Sequence, residues 1–159
     1  MYKLLFTLVL PAMMLTSCFK TDSACDEYDP CGYVVPLSQK QELEAYLSMN
    51  AISATAHCSG MYYRIDLPGT GKSPKVCDNI NVTYKGYLTD NTVFDEAVSP
   101  VNFDLNSLIG GWVNGIPLIK EGGKITLFIP PGLGYGSQQQ GPVPPNSILI
   151  FEVSLISVQ

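Results

Sequence analysis

NFDLNSLIGGWVNGIPLIKEGGKITLFIPPGLGYG, residues 102–136, decides how the chain is read. A short strand over about residues 102–105 leads to Gly111-Trp112, which opens a helical segment running to about Ile119, and Gly122-Gly123 ends it. Ile125, Leu127 and Ile129 then recur at every second position, the period of a strand with one buried face. A short helix and a strand, each with one apolar side, must bury those sides against each other or against further strands.

Working outward, further strands come into view. Upstream, Ile80, Val82, Tyr84 and Leu88 alternate with Asn81, Thr83, Lys85 and Tyr87, and Gly86 permits a bend or bulge. Asp90-Asn91 turns that strand into Val93-Phe94-Asp95. Earlier still, Met61, Tyr63, Ile65 and Leu67 alternate until Pro68-Gly69-Thr70-Gly71 breaks the run. Downstream, beyond a Gly/Gln/Pro loop, Leu149, Phe151, Val153 and Leu155 form the last strand. Five strands around one short internal helix predict an α+β domain with a bent antiparallel sheet, which the Trp112 helix covers.

Residues 37–59 precede this domain. Ser38 is placed to cap a helix over about residues 39–49, where Leu43, Tyr46 and Leu47 share one face and Asn50 supplies a stop. The stripe is narrow, so the helix is expected to pack on its own domain rather than on a second copy, leaving a monomer. Residues 18–36 are polar and acidic, without periodicity, and read as a tether.

The first residues set the compartment. Met1-Tyr2-Lys3 is a basic start, residues 4–15 are almost wholly apolar, and Leu15-Thr16-Ser17-Cys18 follows. The apolar run is short for a membrane span and reads as the core of a signal peptide over residues 1–17. Its end resembles the bacterial lipobox, which implies cleavage before Cys18 and acylation of that residue. Phe19 is not the Asp that retains such proteins at the inner membrane of enteric bacteria, so a lipid anchor in the outer membrane is expected. Four cysteines remain: Cys25, Cys31, Cys58 and Cys77. Outside the cytoplasm they allow two disulfides in any of three pairings, or free thiols; the preferred pairing is Cys25–Cys31 and Cys58–Cys77. No CxxC occurs and His57 is the sole histidine, so no metal site is expected.

Composition and motifs exclude other chemistries. A formal charge of −5 with no basic run disfavours nucleic acid. No histidine sits near a serine or cysteine in a nucleophile setting, which argues against a hydrolytic triad. Gly132-Leu133-Gly134-Tyr135-Gly136 lacks the Lys and Ser/Thr of a phosphate loop and is followed by prolines where a helix should start. No cofactor is called for.

What remains is an ordered series of aromatics. VTYKGYLTDNTVFDEA, the opening stretch and GPVPPNSILIFEVSLI occur in this order at close spacing. Together, across residues 60–159, they resemble the FKBP-type peptidyl-prolyl cis–trans isomerase family. The resemblance implies a five-stranded sheet wrapped round one helix, with a shallow apolar pocket between them. Trp112 would floor the pocket. Tyr84, Phe94, Val101, Leu108, Ile109, Val143 and Phe151 would wall it, with Val101 standing where many relatives carry Phe. Tyr135 at the rim and the Ile109 N–H would bind substrate carbonyls, and Asp95 would accept hydrogen bonds. The implied activity is rotation of X–Pro bonds in exported polypeptides, and macrolide inhibitors of the rapamycin type are implied ligands. A peptide-binding chaperone without catalysis, or a surface lipoprotein binding another ligand in the same fold, is the rival reading.

Overall fold

The computed structural model describes Cys25 and residues 27–159. The expected signal peptide, Cys18 and residues 19–24 of the expected tether lie outside the described residues. Helix α1 (Leu37–Met49) is followed by strands β1 (Thr55–Ala56), β2 (Tyr62–Leu67), β3 (Asn79–Tyr87) and β4 (Val93–Asp104). Helix α2 (Gly110–Gly115) comes next, then β5 (Lys124–Ile129) and β6 (Leu149–Val158). All strand pairs are antiparallel, in the order β1-β2-β5-β6-β3-β4.

The sheet therefore has six strands where the sequence suggested five. The addition is the two-residue β1, which pairs Thr55 and Ala56 with Tyr63 and Tyr62. The two short strands expected around Phe94 and Asn102 are one strand, β4, interrupted by a bulge: Tyr84 faces Ala97 while Val82 faces Val101. Pro100 falls in that bulge. Because β4 is an edge strand, a residue without an N–H is tolerated there.

Alternation places Ile80, Val82, Phe151, Val153 and Leu155 on the α2 side of the sheet, in one core with Trp112, Ile116 and Ile119. Gly111 and Gly115 let the α2 backbone lie directly on β5. A Cβ on either would come within 2.5 Å of Ile129 or Leu127 respectively. The helical segment expected to reach Ile119 is α-helical only to Gly115 and continues as a tighter 3-10 turn over Ile116–Leu118.

The other face of the central strands is covered by α1. Leu43 and Leu47 pack on Phe128, Ile148 and Ile150, so β5 is buried on both sides from Ile125 to Ile129, with Thr126 the polar residue of that run. The helix stripe is thus spent on the sheet. Its cap is not Ser38. The helix starts at Leu37, with Pro36 at φ −53° and ψ 143° as the residue before it and no side-chain cap. A proline pre-set in the extended region ends the preceding segment, and Ser38 falls inside the first turn.

The end of the expected tether is not free either. Residues 27–36 form a strap across the domain: the Tyr28 hydroxyl donates to Asn114, the Val35 N–H donates to the Ser59 carbonyl, and Val35 is buried against Gly60. The pairing of cysteines differs correspondingly from the preferred one. Cys25 is bonded to Cys77 and Cys31 to Cys58, with Cα atoms 5.7 and 5.4 Å apart. The reason lies in the strap's path. It crosses two parts of the domain and turns sharply at Asp29–Gly32, where the Gly32 N–H donates to the Asp29 carbonyl and the Cys31 N–H to its carboxylate. Each cysteine meets a partner across the strap rather than its neighbour in sequence.

Candidate active site

Between α2 and the sheet is a pocket of about 210 Å³. Trp112, on α2, is 4% exposed and forms its floor. Three rings meet the indole edge to face: Tyr84 with centroids 5.3 Å apart, Phe151 at 5.3 Å and Phe103 at 6.2 Å, at interplanar angles of 86–89°. Edge-to-face packing of this kind holds each ring in place by its quadrupole as well as its area. The indole Nε1 is buried and has no hydrogen-bond partner among the described residues.

Each wall is placed by a local device. Tyr84 and Phe151 come from β3 and β6, where Tyr84 pairs with Val153 and Gly86 with Phe151. Gly86 makes room for two rings, since a Cβ there would come within 2.8 Å of both Phe151 and Phe94. The register of β3 on β4 shifts at Gly86/Tyr87, as the glycine led one to expect. Leu108 and Ile109 follow a 3-10 turn over Leu105–Ser107, and Ile109 is the extended residue that opens α2. The Ile109 carbonyl accepts from the Trp112 and Val113 N–H groups, while its own N–H donates to no carbonyl among the described residues. Tyr135 stands beyond another 3-10 turn, Pro131–Leu133.

Besides the indole Nε1, the polar side chains of the lining are Tyr84, Asp95 and Tyr135. The Tyr84 hydroxyl donates to an Asp95 carboxylate oxygen at 2.7 Å. Burial first, then that hydrogen bond and the Asp95 charge, push the Tyr84 phenol well above the ordinary tyrosine range. Burial and the Asp95 charge raise Tyr135 as well. Both phenols therefore stay protonated, and able to donate, far into alkaline solution.

Of the residues that the family resemblance assigned to the pocket, Tyr84, Asp95, Leu108, Ile109, Trp112, Tyr135 and Phe151 line it together. Three others do not. Phe94 stacks on Phe151 from outside the lining, with centroids 5.4 Å apart. Val143 is 2% exposed in the core, paired with Gln140 under the long loop. Val101 packs against the core and leaves the wall to Phe103, which the sequence reading missed. The signal was available: Phe103 lies two residues after Val101 on one strand, opposite the fully buried Ile80.

A larger open depression, of about 620 Å³, lies along β2, β5, β6, β3 and β4, among Arg64, Asp66, Lys85, Glu96 and Glu152. Some of its polar groups have partners. Arg64 contacts Asp66 at 2.7 Å, Thr126 donates to Asp66 at 2.7 Å, and Tyr87 donates to Glu152 at 3.1 Å. The smaller aromatic pocket, apolar with a few convergent polar groups, has the character of a ligand site.

Similarity to known proteins agrees with this geometry. The family profile described as FKBP-type peptidyl-prolyl cis-trans isomerase matches residues 71–156. The FKBP-type peptidyl-prolyl cis-trans isomerase FkpA of Aeromonas hydrophila is 39% identical over 123 residues, covering 73% of this chain and 45% of the relative. The chain thus spans about half the length of that curated relative. The crystal structure of FkpA from Escherichia coli superposes with a TM-score of 0.70 at 37% identity, over 77% of this chain and 60% of that one. A peptidyl-prolyl cis-trans isomerase from Pseudomonas syringae pv. tomato superposes at 0.68 and 28% identity, over 80% of this chain and 99% of its own. With the profile spanning more than half of the sequence and the aromatic pocket inside that span, this chain belongs to the FKBP-type peptidyl-prolyl cis-trans isomerase family.

Proposed function

We propose that the chain catalyses cis–trans rotation about X–Pro bonds in polypeptides folding outside the cytoplasm, and binds macrolides of the rapamycin type in the same pocket. The observation that carries this reading is the indole floor ringed edge-on by Tyr84, Phe103 and Phe151, with the Tyr84 and Tyr135 hydroxyls in the same lining. Rotating an amide breaks its resonance, against a barrier of about 18–20 kcal/mol. The planar amide is a strong dipole that water stabilises, and the twisted one is less polar. An apolar hollow disfavours the first more than the second, which is differential binding of the transition state. A thousandfold acceleration needs about 4 kcal/mol of such preference. Trp112 and Phe151 would hold the proline ring; Tyr135 and the Ile109 N–H would hold the flanking carbonyls. No proton moves and no bond to the protein forms.

A protease-coupled assay on a short Leu-Pro or Phe-Pro peptide tests this, with acceleration over the spontaneous rate as the expected result. The rate is also expected to be flat from about pH 6 to about pH 10, because a tyrosine whose pKa is raised keeps its proton to higher pH than a free one. A folded protein that binds the peptide but leaves the spontaneous rate unchanged would support the non-catalytic chaperone instead.

Export and a lipid anchor at Cys18 in the outer membrane belong to the same proposal. The apolar leader and Leu15-Thr16-Ser17-Cys18 support them, and two disulfides are at home in an oxidising compartment. Cys18→Ala is expected to move the protein from the membrane to the soluble fraction of a cell lysate. Continued sedimentation with membranes would reject the anchor.

A further inference from the structure

Gln39 reaches from the first turn of α1 to the loop that presents Tyr135. Its side-chain Oε1 accepts the Gly132 N–H at 2.9 Å. Gly132 is the middle residue of the 3-10 turn Pro131–Leu133. Pro131 has no N–H, and the Leu133 and Gly134 N–H groups are taken by the Pro130 and Pro131 carbonyls. Gly132 therefore carries the turn's first orphan donor, and Gln39 satisfies it from outside.

The turn is clamped on several sides. A Cβ on Gly132 would lie 2.8 Å from the Tyr33 hydroxyl, 3.0 Å from the Gln39 Oε1 and 3.3 Å from a Val35 methyl, so the strap presses directly on it. Leu133, two residues before Tyr135, packs against Gly110 at the start of α2. On the far side of Tyr135, the Gly136 N–H donates to Pro131 and the Gly136 carbonyl accepts from Asn146. The strap itself is fixed at Val35 by the Ser59 carbonyl and through Cys31 by Cys58.

We propose that Gln39 is a positioning residue for the site: it fixes the Pro131–Leu133 turn and thereby the height of the Tyr135 hydroxyl over the pocket. Gln39 lies well before residues 71–156, so a segment outside the family's matched region supports the loop that carries Tyr135. The kinetic side of this inference rests on the isomerase reading; the structural side does not.

The test uses the full chain, with Gln39→Ala, Gln39→Glu, Tyr135→Phe and the Ala/Phe double variant. Gln39→Ala is expected to shift the NMR signals of the Gly132 amide and the Tyr135 ring and to lower kcat/KM on a Leu-Pro peptide about fivefold, the size of one lost hydrogen bond. Gln39→Glu, which keeps an acceptor, should restore both readouts to within about twofold, and in the Tyr135→Phe background the alanine change should cost less than about twofold. Unshifted Tyr135 signals in folded Gln39→Ala would overturn the inference, as would the same fivefold loss without the Tyr135 hydroxyl. If the wild type shows no isomerase activity, the functional reading falls, while the Tyr135 signals still decide the role of Gln39.

Discussion

Reduction of the two disulfides is expected to lower the unfolding free energy more than any other mild treatment. The bridges join cysteines 52 and 27 residues apart. In the chain-entropy account, loops of those sizes contribute about 4 and about 3.5 kcal/mol, by restricting the unfolded chain. The shorter loop is nested within the longer, so removing both should cost slightly less than the sum, about 7 kcal/mol. Against a typical total of about 5–15 kcal/mol, that leaves the fold marginal at 37 °C. Urea unfolding of the wild type with and without reductant, beside Cys31→Ser/Cys58→Ser and Cys25→Ser/Cys77→Ser, measures each term. An unchanged midpoint in reductant would show that the bridges do not support the fold. The Cys31–Cys58 pair carries a second consequence: the strap it anchors presses on the Tyr135 loop, so its loss should also lower activity at temperatures where the domain is still folded.

Trp112→Ala should remove both structure and activity. Deleting a buried tryptophan from a packed core costs about 3–5 kcal/mol, because the cavity closes only in part. Here the cavity would be the pocket itself, enlarged by the floor, with Tyr84, Phe103 and Phe151 deprived of the edge they pack against. The peptide rate should fall to the spontaneous one, and calorimetry should find macrolide binding lost; Phe151→Ala should weaken macrolide binding too. Trp112→Phe separates the two effects. It removes an indole N–H that is buried without a partner among the described residues, an arrangement that costs about 1–3 kcal/mol, and so should destabilise less than lost size suggests while still lowering activity. Wild-type macrolide affinity in both alanine variants would mean that ligand binds elsewhere.

The parts of this molecule legible in the sequence are those governed by local period and by ordered spacing. Period two marked the apolar faces of β3, β5 and β6, and the i, i+3, i+4 spacing marked Leu43, Tyr46 and Leu47. Seven of the pocket residues followed from the resemblance that the ordered motifs carry. What escaped depends on distant partners. β1 is two residues long and exposed, with no pattern to detect, and exists because Tyr62 and Tyr63 offer it an edge. The joining of residues 93–95 and 102–104 into one strand also escaped, because the bulge at Pro100 shows only where β4 pairs with β3. The cysteine pairing depended on the route of the strap, and Val35 and Tyr28 gave too little apolar signal to betray that route. Phe103 was passed over because family spacing pointed to Val101, although both share a face of β4.

The sheet order has a consequence for how such a domain can assemble. β6 follows every other strand in the sequence, yet it lies between β5 and β3. Until it arrives, β2 with β5 and β3 with β4 are two separate antiparallel ribbons, each with an apolar face and an unpaired edge. Ribbons of this kind are marginal alone and invite pairing with strangers. A ribosome or a translocation channel delivering this chain from its amino end therefore hands over a sticky half-product first. Nucleation waits on contacts between residues some seventy positions apart, as between Tyr84 and Val153, and such closures are slow.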